Sequence, residues 1–242
     1  MSALRVMSYH VNGWTGKRGE PTADLCARVI AAQCPDLVFL QQQAGGQAPG
    51  QVQQLAERLH MKPFCQGPAC CFLSRHPLRG LQNHPLGAGG SCLRADLDHA
   101  GQRLHLFNVS LSLNPLLRKQ QIDALLGDGL LGNPSLPCAA LVGGDFSLPL
   151  WGAGQIRLTS CLRRASQPLW RANFPAGFPL WGRDRFYFRG ALRALAGTVV
   201  ATADARQASS HLPLVLTIEQ VETRKFLPLK HIRQRQMKPV IG

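Results

Sequence analysis

The sequence predicts a single α/β domain in which the short strands of a mixed sheet architecture alternate with helices. Its 242 residues suffice for one well-buried core, and 45% of them are hydrophobic, which is ordinary globular usage. Short apolar runs recur between turn residues, as is typical of strands. Helical patterns interrupt these runs without a regular strand–helix–strand repeat, which favours mixed sheets over a purely parallel one.

The first elements follow from local periodicity. Residues 4–9 alternate between apolar and polar and are expected to form a strand. Apolar residues recur at helical spacing over residues 23–33, and Pro35 ends that predicted helix. A buried strand over residues 37–40 and a second helix over residues 51–59 come next.

The rest of the chain continues the same pattern. A helix is predicted over residues 116–126, just before a strand that leads into Gly143-Gly144. The predicted strands of this part span residues 70–73, 91–97, 103–109, 139–142, 185–189, 197–202 and 212–219.

Charge is the strongest compositional signal. The chain carries 27 Lys and Arg against 13 Asp and Glu, a formal charge of +14. Such a field attracts polyanions, either nucleic acid or anionic lipid, although arginines that only solubilise an acid-poor surface give the same count. Residues 223–242 hold six of the basic residues and no acid, so we interpret them as a basic C-terminal tail after a domain over residues 1–222.

Targeting and cysteine signals indicate an ordinary cytoplasmic protein. No apolar run approaches the ~20 residues that cross a bilayer, and the start lacks the order of a secretory signal. The eight cysteines include no Cys-x-x-Cys pair, so we expect reduced cysteines that act as small core residues.

Five segments, in order along the chain, resemble motifs of the endonuclease/exonuclease/phosphatase superfamily, which has the deoxyribonuclease-like fold. The family motifs are T-x-N-I-x-G, P-D-x-x-x-L-Q-E, N-x-H-L, G-D-F-N and S-D-H-x-P. The matching segments are Met7-Ser-Tyr-His10-Val-Asn-Gly, Pro35-Asp-Leu-Val-Phe-Leu-Gln-Gln42, Asn108-Val-Ser110-Leu, Gly144-Asp145-Phe-Ser147 and Ser209-Ser210-His211-Leu-Pro. A sixth, Asp184-Arg-Phe-Tyr-Phe-Arg-Gly, resembles D-R-I-x-x-R-G. Each match is weak alone, but the matches occur in the same order as in the family and together span nearly all of residues 4–219. The resemblance implies a four-layer α/β/β/α sandwich, with two mixed, mainly antiparallel sheets and helices outside.

The resemblance also implies a magnesium- or manganese-dependent phosphoric-ester hydrolase site. In the family, the Glu of L-Q-E is the principal metal carboxylate, the Asp of G-D-F-N orients the attacking water, and S-D-H serves metal and phosphate. Three family positions survive and are the candidate catalytic residues: Asp145, Asp184 and His211. Five are substituted: His10, Gln42, Ser110, Ser147 and Ser210.

These substitutions predict little or no magnesium-dependent hydrolysis. Mg²⁺ prefers oxygen ligands and carboxylates, and Gln42 replaces the principal one with an uncharged amide. The first hypothesis is therefore a pseudoenzyme that binds a phosphorylated or polyanionic partner. The second is a divergent metal-dependent phosphodiesterase or phosphatase, with zinc or manganese held by His10, Asp145 and His211. The third is a basic module that contacts nucleic acid or anionic membrane through its tail.

Overall fold

The computed structural model describes residues 3–16, 19–42, 50–133, 136, 138–148, 153–168 and 172–221. The predicted tail lies outside these residues. Within them there are five α-helices: α1 (Ala23–Gln33), α2 (Gln51–Arg58), α3 (Pro115–Leu126), α4 (Ala153–Cys161) and α5 (Ala203–Ala208). None of the described helices is long and apolar enough to span a lipid bilayer.

Twelve strands in the described residues form two six-stranded sheets. In chain order they are β1 (Leu4–His10), β2 (Leu37–Gln41), β3 (Lys62–Cys65), β4 (Cys70–Ser74), β5 (Leu78–Pro85), β6 (Ser91–His99), β7 (Gln102–Ser110), β8 (Ala139–Asp145), β9 (Arg163–Arg164), β10 (Asp184–Arg189), β11 (Leu192–Val199) and β12 (Leu214–Gln220). The first sheet has the order β11-β12-β1-β2-β4-β3, and the second has the order β5-β6-β7-β8-β10-β9. Only the pairs β1–β2 and β7–β8 are parallel, so both sheets are mixed and mainly antiparallel.

Three apolar clusters hold four layers together. Strand side chains alternate between faces, so Leu37 and Phe39 of β2 join the cluster between the sheets, whereas Val38 and Leu40 pack under the helices of the first sheet. A third cluster lies between the second sheet and α3 and α4. The architecture is therefore the α/β/β/α sandwich that the resemblance implies.

Local signals explain where the helices begin and end. The backbone of Cys34 adopts the left-handed conformation directly before Pro35 and closes α1. The Asn114 side chain accepts hydrogen bonds from the backbone amides of Leu116 and Leu117, and Pro115 occupies the first turn of α3.

Several sequence predictions are corrected by the structure. The strand predicted over residues 197–202 is wrong in extent: the strand covers Leu192–Val199, and Thr202 caps α5 through a hydrogen bond from the amide of Ala205. The short or largely exposed elements β3, β5, β9, α4 and α5 were not predicted at all.

The expectation that all cysteines are reduced is also wrong, because Cys65 and Cys71 form a disulfide. The register of β3 against β4 sets these residues directly opposite each other, with Cα atoms 4.4 Å apart, which is within disulfide range. Disulfides persist mainly in oxidising compartments, so this pair counts against the predicted cytoplasmic location, which stays a prediction.

Candidate functional site

The two parallel strand pairs end at the same side of the sandwich. β1 and β2 end at His10 and Gln41, and β7 and β8 end at Ser110 and Asp145. Asp184 begins β10 directly opposite Asp145. Side chains from both sheets therefore meet in one cleft of about 810 Å³, whose walls include His10, Gln42, Ser110, Asp145, Ser147, Ser210 and His211.

Backbone packing of two glycines fixes the end of β8. A Cβ atom at Gly144, whose φ is 137°, would lie 2.0 Å from the carbonyl oxygen of Val109. A Cβ atom at Gly143 would lie 2.4 Å from the ring of Phe186. Glycine at these positions lets β8 approach its neighbours closely and carry Asp145 to the cleft.

Asp145 is paired within the cleft. One of its carboxylate oxygens lies 3.0 Å from Nδ1 of His10, which crosses from the first sheet. The other accepts hydrogen bonds from the backbone amide of Ser147 at 2.7 Å and from the Ser147 hydroxyl at 3.0 Å. These contacts orient the carboxylate and occupy both of its oxygens.

A second buried pair stands behind the first. Nδ1 of His211 lies 2.6 Å from a carboxylate oxygen of Asp184, which also accepts a hydrogen bond from the Asn173 amide. The Ser209 hydroxyl donates to the carbonyl oxygen of His10 at 2.6 Å and accepts from the backbone amide of His211 at 3.1 Å. Asp184 thus orients His211 from outside the cleft wall.

The two imidazoles lie side by side. The ring centroids of His10 and His211 are 4.5 Å apart, and the Phe174 ring packs against His211 with its centroid at 4.8 Å. The guanidinium of Arg183 lies over the same Phe174 ring, 3.6 Å from its centroid, which is a cation–π contact at the cleft wall.

These contacts set the protonation states. Burial alone would raise the pKa of Asp145, but the hydrogen bond from His10 and the charges of His211 and His10 lower it well below its usual range. Burial would lower the pKa of His211, but the charge and hydrogen bond of Asp184 and the charge of Asp145 raise it, against an opposing effect of Arg183. The cleft therefore holds a carboxylate whose pKa is lowered beside an imidazole whose pKa is raised.

Gln42 is tied to the cleft wall. Its side chain is buried, and its Oε1 accepts a hydrogen bond from the indole nitrogen of Trp14 at 3.1 Å. The neighbouring Gln41 donates to the side-chain oxygen of Asn108 at 2.7 Å, and Asn108 donates to the carbonyl oxygens of Leu40 and Cys71. Asn108 thus ties the second sheet to the first directly behind the cleft.

The donor set does not fit Mg²⁺. Among the described residues that line the cleft, Asp145 is the only carboxylate, and one of its oxygens already faces an imidazole. Mg²⁺ requires near-octahedral oxygen coordination, usually with carboxylates. The side chains of His10, Asp145 and His211 do offer three ligand atoms within 4.8 Å of one another, a set of two nitrogens and one oxygen that suits zinc better.

The structure brings together every site residue that the sequence singled out, with Asp184 behind the wall rather than in the cleft. Sequence reasoning missed Asn173, Arg183 and Ser209. Ser209 begins the matched segment Ser209-Ser210-His211-Leu-Pro, and Asn173 begins Asn173-Phe-Pro, which resembles the T-F-P of the family, but no role is attached to either residue. Arg183 precedes the Asp184 motif and carries no signal of its own.

Comparisons with known proteins agree on the fold. No protein-family model matches the sequence, and no curated protein does either. An endonuclease/exonuclease/phosphatase from Beutenbergia cavernae is similar in structure, with a TM-score of 0.70, 19% identity and coverage of 91% of this chain and 72% of that one. Also similar are D. rerio TDP2 complexed with single-strand DNA product (TM-score 0.72, 17% identity, coverage 91% and 100%) and a Bacteroides thetaiotaomicron mannosyl-6-phosphatase (0.71, 13%, 89% and 99%).

The structural likeness covers about nine-tenths of the chain, and the matched motifs span nearly all of residues 4–219. The chain therefore has the fold of the endonuclease/exonuclease/phosphatase superfamily.

Proposed function

We propose that the cleft binds a phosphorylated or polyanionic partner and has lost magnesium-dependent phosphodiester hydrolysis. The observation that carries the proposal is the paired state of Asp145, the only carboxylate among the described cleft residues, together with an amide at Gln42. Hydrolysis of a phosphodiester needs a cation to neutralise developing charge, and the described residues of the cleft offer it only one carboxylate.

The charges of the cleft favour an anion. The pKa of His211 is raised above its ordinary value, and Arg183 presents a guanidinium at the wall. Against these stands the single charge of Asp145, and the whole chain carries +14. Charge-assisted hydrogen bonds from an imidazolium and a guanidinium are the contacts that phosphate oxygens prefer.

The test measures binding of inorganic phosphate to the full chain by titration calorimetry. Asp145→Asn is expected to tighten binding because it removes the one repulsive charge, whereas His211→Ala is expected to weaken it. Binding should also weaken as the pH rises through the raised pKa of His211. If Asp145→Asn weakens phosphate binding, the charge argument is wrong.

Turnover decides between a pseudoenzyme and an enzyme. The purified chain is incubated with bis(p-nitrophenyl) phosphate and with nicked DNA, in the presence of Mg²⁺ or Mn²⁺. No hydrolysis above background is expected. Clear turnover that disappears in Asp145→Ala would overturn the proposal.

A divergent metal enzyme is the second candidate, favoured by the closeness of the His10, Asp145 and His211 ligand atoms. Titration of Zn²⁺ and Mn²⁺ against a chromophoric chelator, with His10→Ala as the comparison, tests it. Metal bound by the wild type and lost in the variant, together with hydrolysis, would establish this alternative. Metal binding without hydrolysis would leave a binding protein with a metal in its cleft.

Nucleic acid and anionic lipid are the partner classes we propose for the basic surface and for the tail of residues 223–242, appended to a domain over residues 1–222. The complex of D. rerio TDP2 with single-strand DNA product supports the first class. Deletion of the tail is expected to reduce the salt dependence of polyanion binding, because fewer counterions are then released. An unchanged salt slope would remove the tail from the proposal.

A further inference from the structure

Exposed apolar side chains are concentrated at one edge of the cleft. Among the described residues, eight large hydrophobic side chains are exposed, and five of them belong to two short segments. These five are Leu113 (62% exposed), Leu116 (76%), Phe178 (73%), Leu180 (46%) and Trp181 (45%). Single exposed hydrophobic residues are normal, but a cluster of five marks an interaction surface.

The two segments face each other across a groove. Leu113 and Trp181 line the same groove of about 290 Å³, together with Arg118 and Arg183. A backbone bridge between Phe174 and Trp181 holds the second segment as a short hairpin, and Phe178 lies at its tip. We name residues 113–118 and 178–183 the docking surface.

The docking surface is cationic as well as apolar. The Arg118 guanidinium donates to the carbonyl oxygens of Ser112 and Leu113, and Arg183 lies over the Phe174 ring. Neither arginine forms an ion pair with any residue that the structure describes. Each of the two apolar segments thus carries an arginine without an ion-pair partner among the described residues, and both arginines line the groove.

We propose that the docking surface binds an anionic lipid bilayer. Protruding leucine, phenylalanine and tryptophan side chains beside arginines form the pattern of a protein that lies in the membrane interface, with apolar groups in the acyl boundary and guanidiniums at lipid phosphates. The charge of +14 complements a negative bilayer surface. Three of the five apolar side chains are leucines, which offer no ring on which a nucleic-acid base stacks, so single-stranded nucleic acid fits less well.

This interaction requires no ligand in the cleft; it rests on the anionic lipid proposed above as a partner class and assigns a surface to it. Leu113 and Arg183 line both the groove and the cleft, so a docked bilayer lies at the mouth of the cleft. Loss of docking and loss of phosphate binding remain separable, because His211 is not part of the docking surface, and neither Leu116 nor Phe178 lines the cleft.

The test is co-sedimentation of the full chain with vesicles of equal parts phosphatidylserine and phosphatidylcholine. The double variant Leu116→Ser with Phe178→Ser is expected to lower partitioning by roughly tenfold or more, because two inserted apolar side chains are lost. The matched control, Leu195→Ser, replaces an exposed leucine on β11 and should bind like the wild type. Part of the wild-type binding should persist at high salt, since apolar insertion is not screened.

Three results would overturn the proposal. If the wild type and the double variant partition equally onto the vesicles, vesicle binding depends on charge alone. If the wild type does not sediment with these vesicles, an anionic bilayer is excluded as the partner of this surface. Loss of oligo(dT) binding in the double variant, with vesicle binding intact, makes the surface a nucleic-acid site.

A substitution that retains the apolar tip gives a readout free of folding effects. In Phe178→Trp, the new indole is expected to be quenched by brominated lipid in the vesicles. Leu195→Trp should show no added quenching. Equal quenching in the two variants would also contradict docking through this surface.

Discussion

The buried pair of Asp184 and His211 offers a sharp test of the electrostatics of the cleft. Asp184→Asn keeps the shape of the side chain and one hydrogen-bond acceptor but removes the charge that raises the pKa of His211. The side chains of His211 and Asp184 are 3% and 0% exposed, so solvent screens their interaction little. The substitution therefore acts on a pair that lies almost wholly inside the protein.

The expected cost follows from this burial. Removal of one partner of a buried ion pair destabilises a protein by about 3–5 kcal/mol, and we expect about 3 kcal/mol near pH 6 because Asn retains an acceptor. In the wild type, the pKa of His211 is raised by folding, so its stabilising contribution is complete below the unfolded value of about 6.5 and is lost as the pH rises through the raised value. At a pH above the raised pKa of His211 we expect only the cost of a hydrogen bond to a charged group, about 1.5 kcal/mol.

Urea unfolding of wild type and variant, near pH 6 and above the raised pKa of His211, measures these costs. Groups that titrate elsewhere contribute equally to both proteins, so they cancel in the difference. Asp204→Asn is the matched control, because Asp204 pairs with Arg28 at the exposed surface and should matter little. A penalty for Asp184→Asn that is equal at both pH values would refute the ion pair. The contact would then be a neutral hydrogen bond.

Three further predictions concern the scaffold of the cleft. Gly144→Ala is expected to abolish stable folding or to cost more than about 3 kcal/mol, because its Cβ would overlap the Val109 carbonyl in a backbone conformation that favours glycine; thermal unfolding measures it. Cys65→Ser is expected to lower the free energy of unfolding by about 2 kcal/mol through loss of a short loop closure, and reductant should lower that of the wild type equally. Asn108→Ala is expected to cost about 2–4 kcal/mol in urea unfolding, because it leaves buried partners in the first sheet unsatisfied.

Two of these have matched controls, and the third has a threshold that decides it. Cys34→Ser removes an exposed free thiol and should leave the stability unchanged, so an equal loss there would dissociate the effect from the disulfide. Gly129→Ala meets no atom within 4 Å and has no positive φ, so it should be tolerated where Gly144→Ala is not. A cost for Asn108→Ala below about 1 kcal/mol would mean that water replaces its hydrogen bonds.

The sequence predicted the elements whose residues alternate or recur with a clear period. The strands of the inter-sheet core and the helix α1 belong to this group, because burial on fixed faces leaves an apolar pattern. β5 was missed because most of its residues are partly or fully exposed, which hides the alternation. α5 has only six residues, too few to show a helical period.

Residues of the site could be predicted from the sequence only where they lie in motifs that resemble those of the family. Asp145 and His211 were placed by resemblance, and the structure brings both into the cleft. Asp184, the partner of His211 behind the wall, was named, but its hydrogen bond with Asn173, 11 residues earlier, depends on how the intervening segment folds back. The Cys65–Cys71 pairing likewise depends on strand register, since eight cysteines offer many pairings and spacing alone does not choose among them.

The facing side chains of the cleft stand on different halves of the sandwich, since His10 ends a strand of the first sheet and Asp145 ends a strand of the second. A ligand that contacts both residues links the two sheets across the interface that holds the core of the fold. Because such a ligand binds the folded state, its binding raises the free energy of unfolding. The melting temperature should therefore rise with ligand concentration. A library of phosphorylated compounds can therefore be screened by heat alone, without any knowledge of a reaction.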